Sequence, residues 1–156
     1  MPTTHHLEYD MMGVRLRKIG PVEIDYDLAG SRASRVGALD LEYDMLGSRL
    51  ARIGLETLEY DMLGNRARQI GALTLDYDML GTRLRTLGPY ELSYDRMGSR
   101  LRRLGPVAID YDRMGARASV IHVDDSAVLD DWLAALILFA LEIVSREESG
   151  AGTIGT

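Results

Sequence analysis

Between residues 5 and 123 the chain alternates apolar and polar positions in short runs. In residues 22–27, Val22, Ile24 and Tyr26 alternate with Glu23, Asp25 and Asp27, the period of a strand with one face buried and one face wet. The run closes in D-x-x-G. There an aspartate can bond its own turn amides, and a glycine accepts the left-handed conformation that a type I turn with a G1 bulge requires. A return run follows, such as residues 49–53, and a second glycine, sometimes Gly-Pro, turns the chain once more. One unit therefore reads as a β-hairpin. Leu50 and Ile53 are three positions apart, so both reach the core face only if the return strand carries a bulge between them.

The unit is written seven times. Tyrosine stands at Tyr9, Tyr26, Tyr43, Tyr60, Tyr77, Tyr94 and Tyr111, each 17 residues after the last and each followed by aspartate. Glycine keeps the register at Gly13, Gly30, Gly47, Gly64, Gly81, Gly98 and Gly115, with arginine two places later from Arg15 to Arg117. A second glycine column runs from Gly20 to Gly105 and ends with the repeat, at His122. So strict a period has to be explained first. Seven hairpins predict about fourteen short antiparallel strands in a meander. A solenoid with one coil per repeat would instead stack like charges at about 4.8 Å, which is unfavourable. In the meander, acidic first strands lie beside basic return strands, so that Asp or Glu is expected to meet Arg across every pair.

After residue 123 the pattern changes, and residues 124–148 predict an apolar helix. Asp124, Asp125 or Ser126 can cap its start, and Asp130 and Asp131 suit its positive end. From Trp132 to Leu141 no residue is polar, and a helix that is apolar all round lies buried or in lipid. The run is ten residues long and Glu142 ends it, about half of a membrane span. Burial is the better reading. Fourteen strands about 4.8 Å apart and tilted about 40° enclose a radius of roughly 13 Å, and a helix packs about 10 Å from a sheet. The expected fold is thus mainly β, an antiparallel up-and-down barrel wrapped around one C-terminal hydrophobic helix with Trp132 as a core anchor. Residues 1–156 form a single domain in this reading, with hairpin repeats over 5–123, the helix over 124–148 and a disordered tail over 149–156.

Charge and composition narrow the function classes. Residues 1–121 hold 17 acidic and 17 basic side chains, and residues 122–156 hold seven acids against Arg146 alone. Without a basic excess, nucleic acid is not an expected partner. Cysteine is absent, which excludes disulfides, thiolate metal sites and a cysteine nucleophile. The N-terminal stretch has neither the basic nor the apolar region of a secretion signal, and the expectation is a cytoplasmic protein that is not integral to a membrane.

Candidate chemistry is sparse. No Ser-His-Asp set, phosphate-binding glycine loop or metal-ligand spacing is written in the chain. His5 and His6 are adjacent, so in a strand they point to opposite faces. Carboxylates repeated sevenfold single out no acid/base pair. No enzyme, cofactor or metal is expected. The Tyr, Asp, Gly and Arg columns read as fold chemistry: a packed ring, a turn cap, a turn glycine and a paired guanidinium. The one local departure is basic. Arg96 and Arg113 stand where other repeats carry Met or Leu, and with Arg100, Arg102, Arg103 and Arg117 they make the last two repeats positive. Arg96, Arg100, Arg102, Arg103 and Arg113 are the candidate ligand-binding residues, as an anion or phospholipid-headgroup patch.

Two families share these features. The unit at residues 41–54, LEYDMLGSRLARIG, resembles the YD repeat of Rhs and teneurin shells, in which Y-D-x-x-G-R hairpins build a hollow spiral. The whole plan resembles the tubby, scramblase and LURP-one-related group, where hairpins with D-x-x-G turns close a barrel around an apolar C-terminal helix. Residues 128–148, VLDDWLAALILFALEIVSREE, are similar in character and place to that helix. The second resemblance implies a non-enzymatic binding module for an anionic lipid or a protein partner. The first implies a structural or interaction shell.

Overall fold

The computed structural model describes residues 2–10, 15–27, 32–44, 49–61, 66–78, 83–95, 100–112 and 117–141. The strands are β1 (Thr3–Tyr9), β2 (Leu16–Ile19), β3 (Val22–Tyr26), β4 (Ala33–Val36), β5 (Leu39–Tyr43), β6 (Leu50–Ile53) and β7 (Glu56–Tyr60). They continue as β8 (Ala67–Ile70), β9 (Leu73–Tyr77), β10 (Leu84–Leu87), β11 (Tyr90–Tyr94), β12 (Leu101–Leu104), β13 (Val107–Tyr111) and β14 (Ala118–Val123). Each pairs antiparallel with its neighbours in sequence, and β14 returns to pair with β1, so the sheet closes into a barrel and leaves no edge.

The expected bulge is present in all seven hairpins. Glu42 faces Arg52 but Tyr43 faces Leu50, which leaves Ala51 over. The same shift leaves over Arg17, Ser34, Arg68, Arg85, Arg102 and Ser119. It lets both ends of a four-residue return strand face inward, as the burial of Leu50 and Ile53 shows. At one rim the hairpins are joined by two-residue turns such as Gly20-Pro21 between Ile19 and Val22. The glycines there have φ between 51° and 60°, and no described non-glycine residue has positive φ, the sign pattern of a type II′ turn. The expected D-x-x-G turns, with Gly13, Gly30, Gly47, Gly64, Gly81, Gly98 and Gly115, lie outside the described residues.

Register sets the barrel's width. In β3, Val22 and Glu23 pair with β2, whereas Ile24, Asp25 and Tyr26 pair with β4. β5, β7, β9 and β11 divide in the same way, and the register offset of two residues per hairpin continues through β13, β14 and β1, a shear of about 14 on 14 strands. Equal shear and strand number imply a tilt of about 35° and a radius of roughly 13 Å, wide enough for one helix and a layer of side chains.

That helix, α1, covers residues 131–141 of the described chain, and the expected continuation to 148 and tail over 149–156 lie outside the described residues. From Leu133 to Ala140, more than two turns and so every azimuth, no residue is more than 8% exposed. These side chains join the inward residues of the strands in one core, which contains no buried polar or charged residue among those described. The barrel is wrapped around the helix. Trp132 packs against this core half-buried. No described helix is long and apolar enough to cross a membrane.

The helix start is corrected. Neither Asp124, Asp125 nor Ser126 caps it. The Asp124 carboxylate instead accepts from the Ser126 backbone N–H, at 2.9 Å, and from its hydroxyl. Asp130 is the N-cap, its Oδ1 accepting from Leu133 N–H at 2.8 Å. Residues 124–130 are spent crossing the barrel mouth, since β14 ends on the wall and the helix axis lies inside it.

Candidate functional site

The Tyr, Asp and Arg columns assemble into a ring of clasps at the strand ends away from the Gly20-type turns. Within a hairpin, Asp10 N–H donates to Arg15 O at 2.9 Å, and Arg15 Nε donates to Asp10 Oδ2 at 2.6 Å. The same guanidinium lies 4.9 Å from the ring centre of Tyr26 in the next hairpin, and the Tyr26 hydroxyl donates back to Leu16 O at 2.8 Å. Each unit thus ties the ends of its own two strands by a salt bridge and its neighbour by a cation–π contact and a hydrogen bond. The pattern repeats from Arg32 over Tyr43 to Arg100 over Tyr111. It then closes: Arg117 sits 4.4 Å from the Tyr9 ring centre, and Tyr9 hydroxyl donates to Ala118 O at 2.6 Å. Burial pushes the Tyr9 hydroxyl above its ordinary pKa, opposed by Arg117 and reinforced by Asp112. Arg100 is one of these clasp residues, bonded to Asp95 at 2.7 Å.

The expected meeting of Asp with Arg is present in every hairpin as the clasp salt bridge, but along the outer strand faces it is not general. Asp25 faces Arg35 and Glu42 faces Arg52, but Glu59 faces Gln69, Asp76 faces Thr86 and Asp110 faces Val120. The clasp salt bridge, not the strand face, is what recurs in every hairpin.

β12 stands apart on this face. Lys18 lies between Glu8 and Glu23, and Arg35 lies between Asp25 and Asp40, with an ion pair to Asp40 at 3.0 Å. Arg103 lies between Ser93 and Ala108. Ser93 is also the one uncharged residue in the column Glu8, Asp25, Glu42, Glu59, Asp76, Ser93, Asp110. The bulge adds to this. Adjacent strand residues normally point to opposite faces, but Arg102 is the bulge residue, and Arg102 and Arg103 are both exposed between buried Leu101 and Leu104. Neither forms a salt bridge among the described residues, although Arg103 is close enough to help lower the pKa of Asp124, after the Ser126 hydrogen bonds. Of the five sequence candidates, Arg102 and Arg103 share one exposed spot, Arg100 belongs to a clasp, and Arg96 and Arg113 lie outside the described residues.

One constellation was invisible in the sequence. His122 on β14 bridges Asp110 on β13, Nε2 to Oδ2 at 2.8 Å, and Thr4 on β1, Nδ1 to Oγ1 at 3.1 Å. It ties the barrel's closing seam on the exposed side. His5 points to the inner rim over Gly20, while His6 is exposed. No group of three acidic or histidine side chains among the described residues is arranged to hold a metal ion. Comparison with protein families, with characterised proteins and with solved structures gives no match.

Proposed function

We propose that this chain is a non-enzymatic binding module, tubby-like in plan and cytoplasmic, whose ligand is an anionic membrane surface engaged by the outer face of β11 to β13. The observation that carries this reading is the pair Arg102 and Arg103, turned to one side by the β12 bulge and flanked by Ala108 and by Ser93, which stands where the other six hairpins place a carboxylate. The acids of the other hairpins give the barrel an orientation. Glu59 and Asp76 face Gln69 and Thr86 rather than a base, so the negative charge on β7 and β9 favours turning β12 toward an anionic surface. The barrel interior is filled by its own helix, which leaves the outer surface for recognition.

Arg102→Ser with Arg103→Thr should weaken binding to anionic vesicles while keeping the fold, because Ser34 and Thr86 occupy the equivalent positions of other repeats. Each basic contact near a charged membrane is worth about 1 kcal/mol, so flotation with vesicles should show a drop of roughly tenfold to thirtyfold, which added salt reproduces in the unmodified protein. No preference for anionic over neutral vesicles at low salt would remove this reading. The second reading, a structural or interaction shell of YD-repeat type, would then stand, supported by the clasp ring, whose chemistry is spent on holding hairpins together.

A further inference from the structure

A barrel built from seven near-identical hairpins offers its central helix seven nearly equivalent azimuths, so something must choose among them. We infer that the turn Gly37-Ala38 is a carboxylate-binding seat, that its ligand is the side chain of Asp131, and that this contact fixes the rotation of α1 within the barrel. Ala38 N–H donates to Asp131 Oδ2 at 2.9 Å. Asp131 is the first residue of the helix, next to the Asp130 cap, where a negative charge is favoured.

The seat exists because one rim residue is small. Five of the six described positive-φ glycines are covered by the side chain fifteen residues earlier: Gly20 by His5, Gly54 by Leu39, Gly71 by Glu56, Gly88 by Leu73 and Gly105 by Tyr90. At Gly37 that residue is Val22, the shortest of the six, and the nearest atoms are instead those of the Asp131 carboxylate. A Cβ at Gly37 would overlap that carboxylate, so both the missing side chain and the short valine are needed. The other glycine seats are occupied by their own repeats. Leu129, which packs against Gly20 in the adjacent turn, leads the chain to the same side of the mouth.

Amide hydrogen exchange in the full chain tests this. In the unmodified protein Ala38 N–H should be protected, and the equivalent amide of Leu55, after Gly54, should not. Asp131→Ala and Val22→Leu should each cut Ala38 protection at least tenfold while amides of the central strands stay protected. Val22→Leu with Leu39→Val closes the seat at Gly37 and opens one at Gly54, so protection should pass from Ala38 to Leu55. Undiminished protection of Ala38 in Asp131→Ala overturns the seat. Protection that stays at Ala38 in the double variant, or leaves both amides while the strands remain protected, overturns its control of the helix azimuth.

Discussion

A chain ended after Asp125 should lose cooperative unfolding and become insoluble or molten. The cut removes Leu133, Leu136, Ile137, Leu138 and Phe139 from the core, all buried, and each such side chain is worth about 1.5 to 3 kcal/mol. Their sum alone approaches the whole stability of a typical domain, about 5–15 kcal/mol. The loss is larger than that, because Ile19, Ile53, Ile70, Leu87, Leu104 and Ile121, fully buried now, would line an empty bore. Calorimetry and dye binding report the outcome. A sharp transition in the shortened chain, with no exposed apolar surface, would mean that the hairpins pack without the helix.

Replacing a clasp tyrosine should have the next largest effect. Tyr60→Ala takes away the hydrogen bond to Leu50 O at 2.6 Å, the ring that lies 4.7 Å from the Arg49 guanidinium, and contact with the core. Truncating a large aromatic at such a place costs about 3 kcal/mol or more, whereas Tyr60→Phe forfeits chiefly the hydroxyl bond, about 1 kcal/mol. Denaturant titration of both separates packing from hydrogen bonding. Tyr9→Phe should match Tyr60→Phe, although the partner of Tyr9 is 109 residues away, because the clasp that closes the ring is built like the others. A cost below about half a kcal/mol for Tyr60→Ala would show the clasps to be ornament on a barrel held by its core alone.

What the sequence made legible was whatever repeats or has a period. Alternation gave the strands, the three-residue spacing of Leu50 and Ile53 required the bulge, and the unbroken apolar run to Leu141 required burial on every side. Long-range geometry was not legible. Asp124, Asp125 and Asp130 are all competent caps by residue type, and only the span across the barrel mouth selects Asp130. The Arg and Tyr columns were plain, but that each arginine serves the tyrosine of the following hairpin depends on barrel curvature. Nearness in sequence alone groups Arg96, Arg100, Arg102, Arg103 and Arg113. The bulge then separated Arg102 and Arg103, turned outward, from Arg100, which is engaged by Asp95. Thr4 and His122 meet only because the sheet closes.

The enclosure of α1 by the barrel can be measured with thiols, since the chain has no cysteine of its own. Ala134, Ala135 and Ala140 are small, buried and spread around the helix at about 100° per residue, so Ala134→Cys, Ala135→Cys and Ala140→Cys together sample its whole circumference. Exposed Ala72, changed to cysteine, provides the reactive reference. A helix enclosed on all sides leaves all three thiols unreactive toward a polar alkylating reagent under native conditions, whatever their azimuth, and releases them together on unfolding. One thiol of the three reacting in the folded protein as fast as Ala72→Cys would place that helix face outside the barrel and contradict the fold described here.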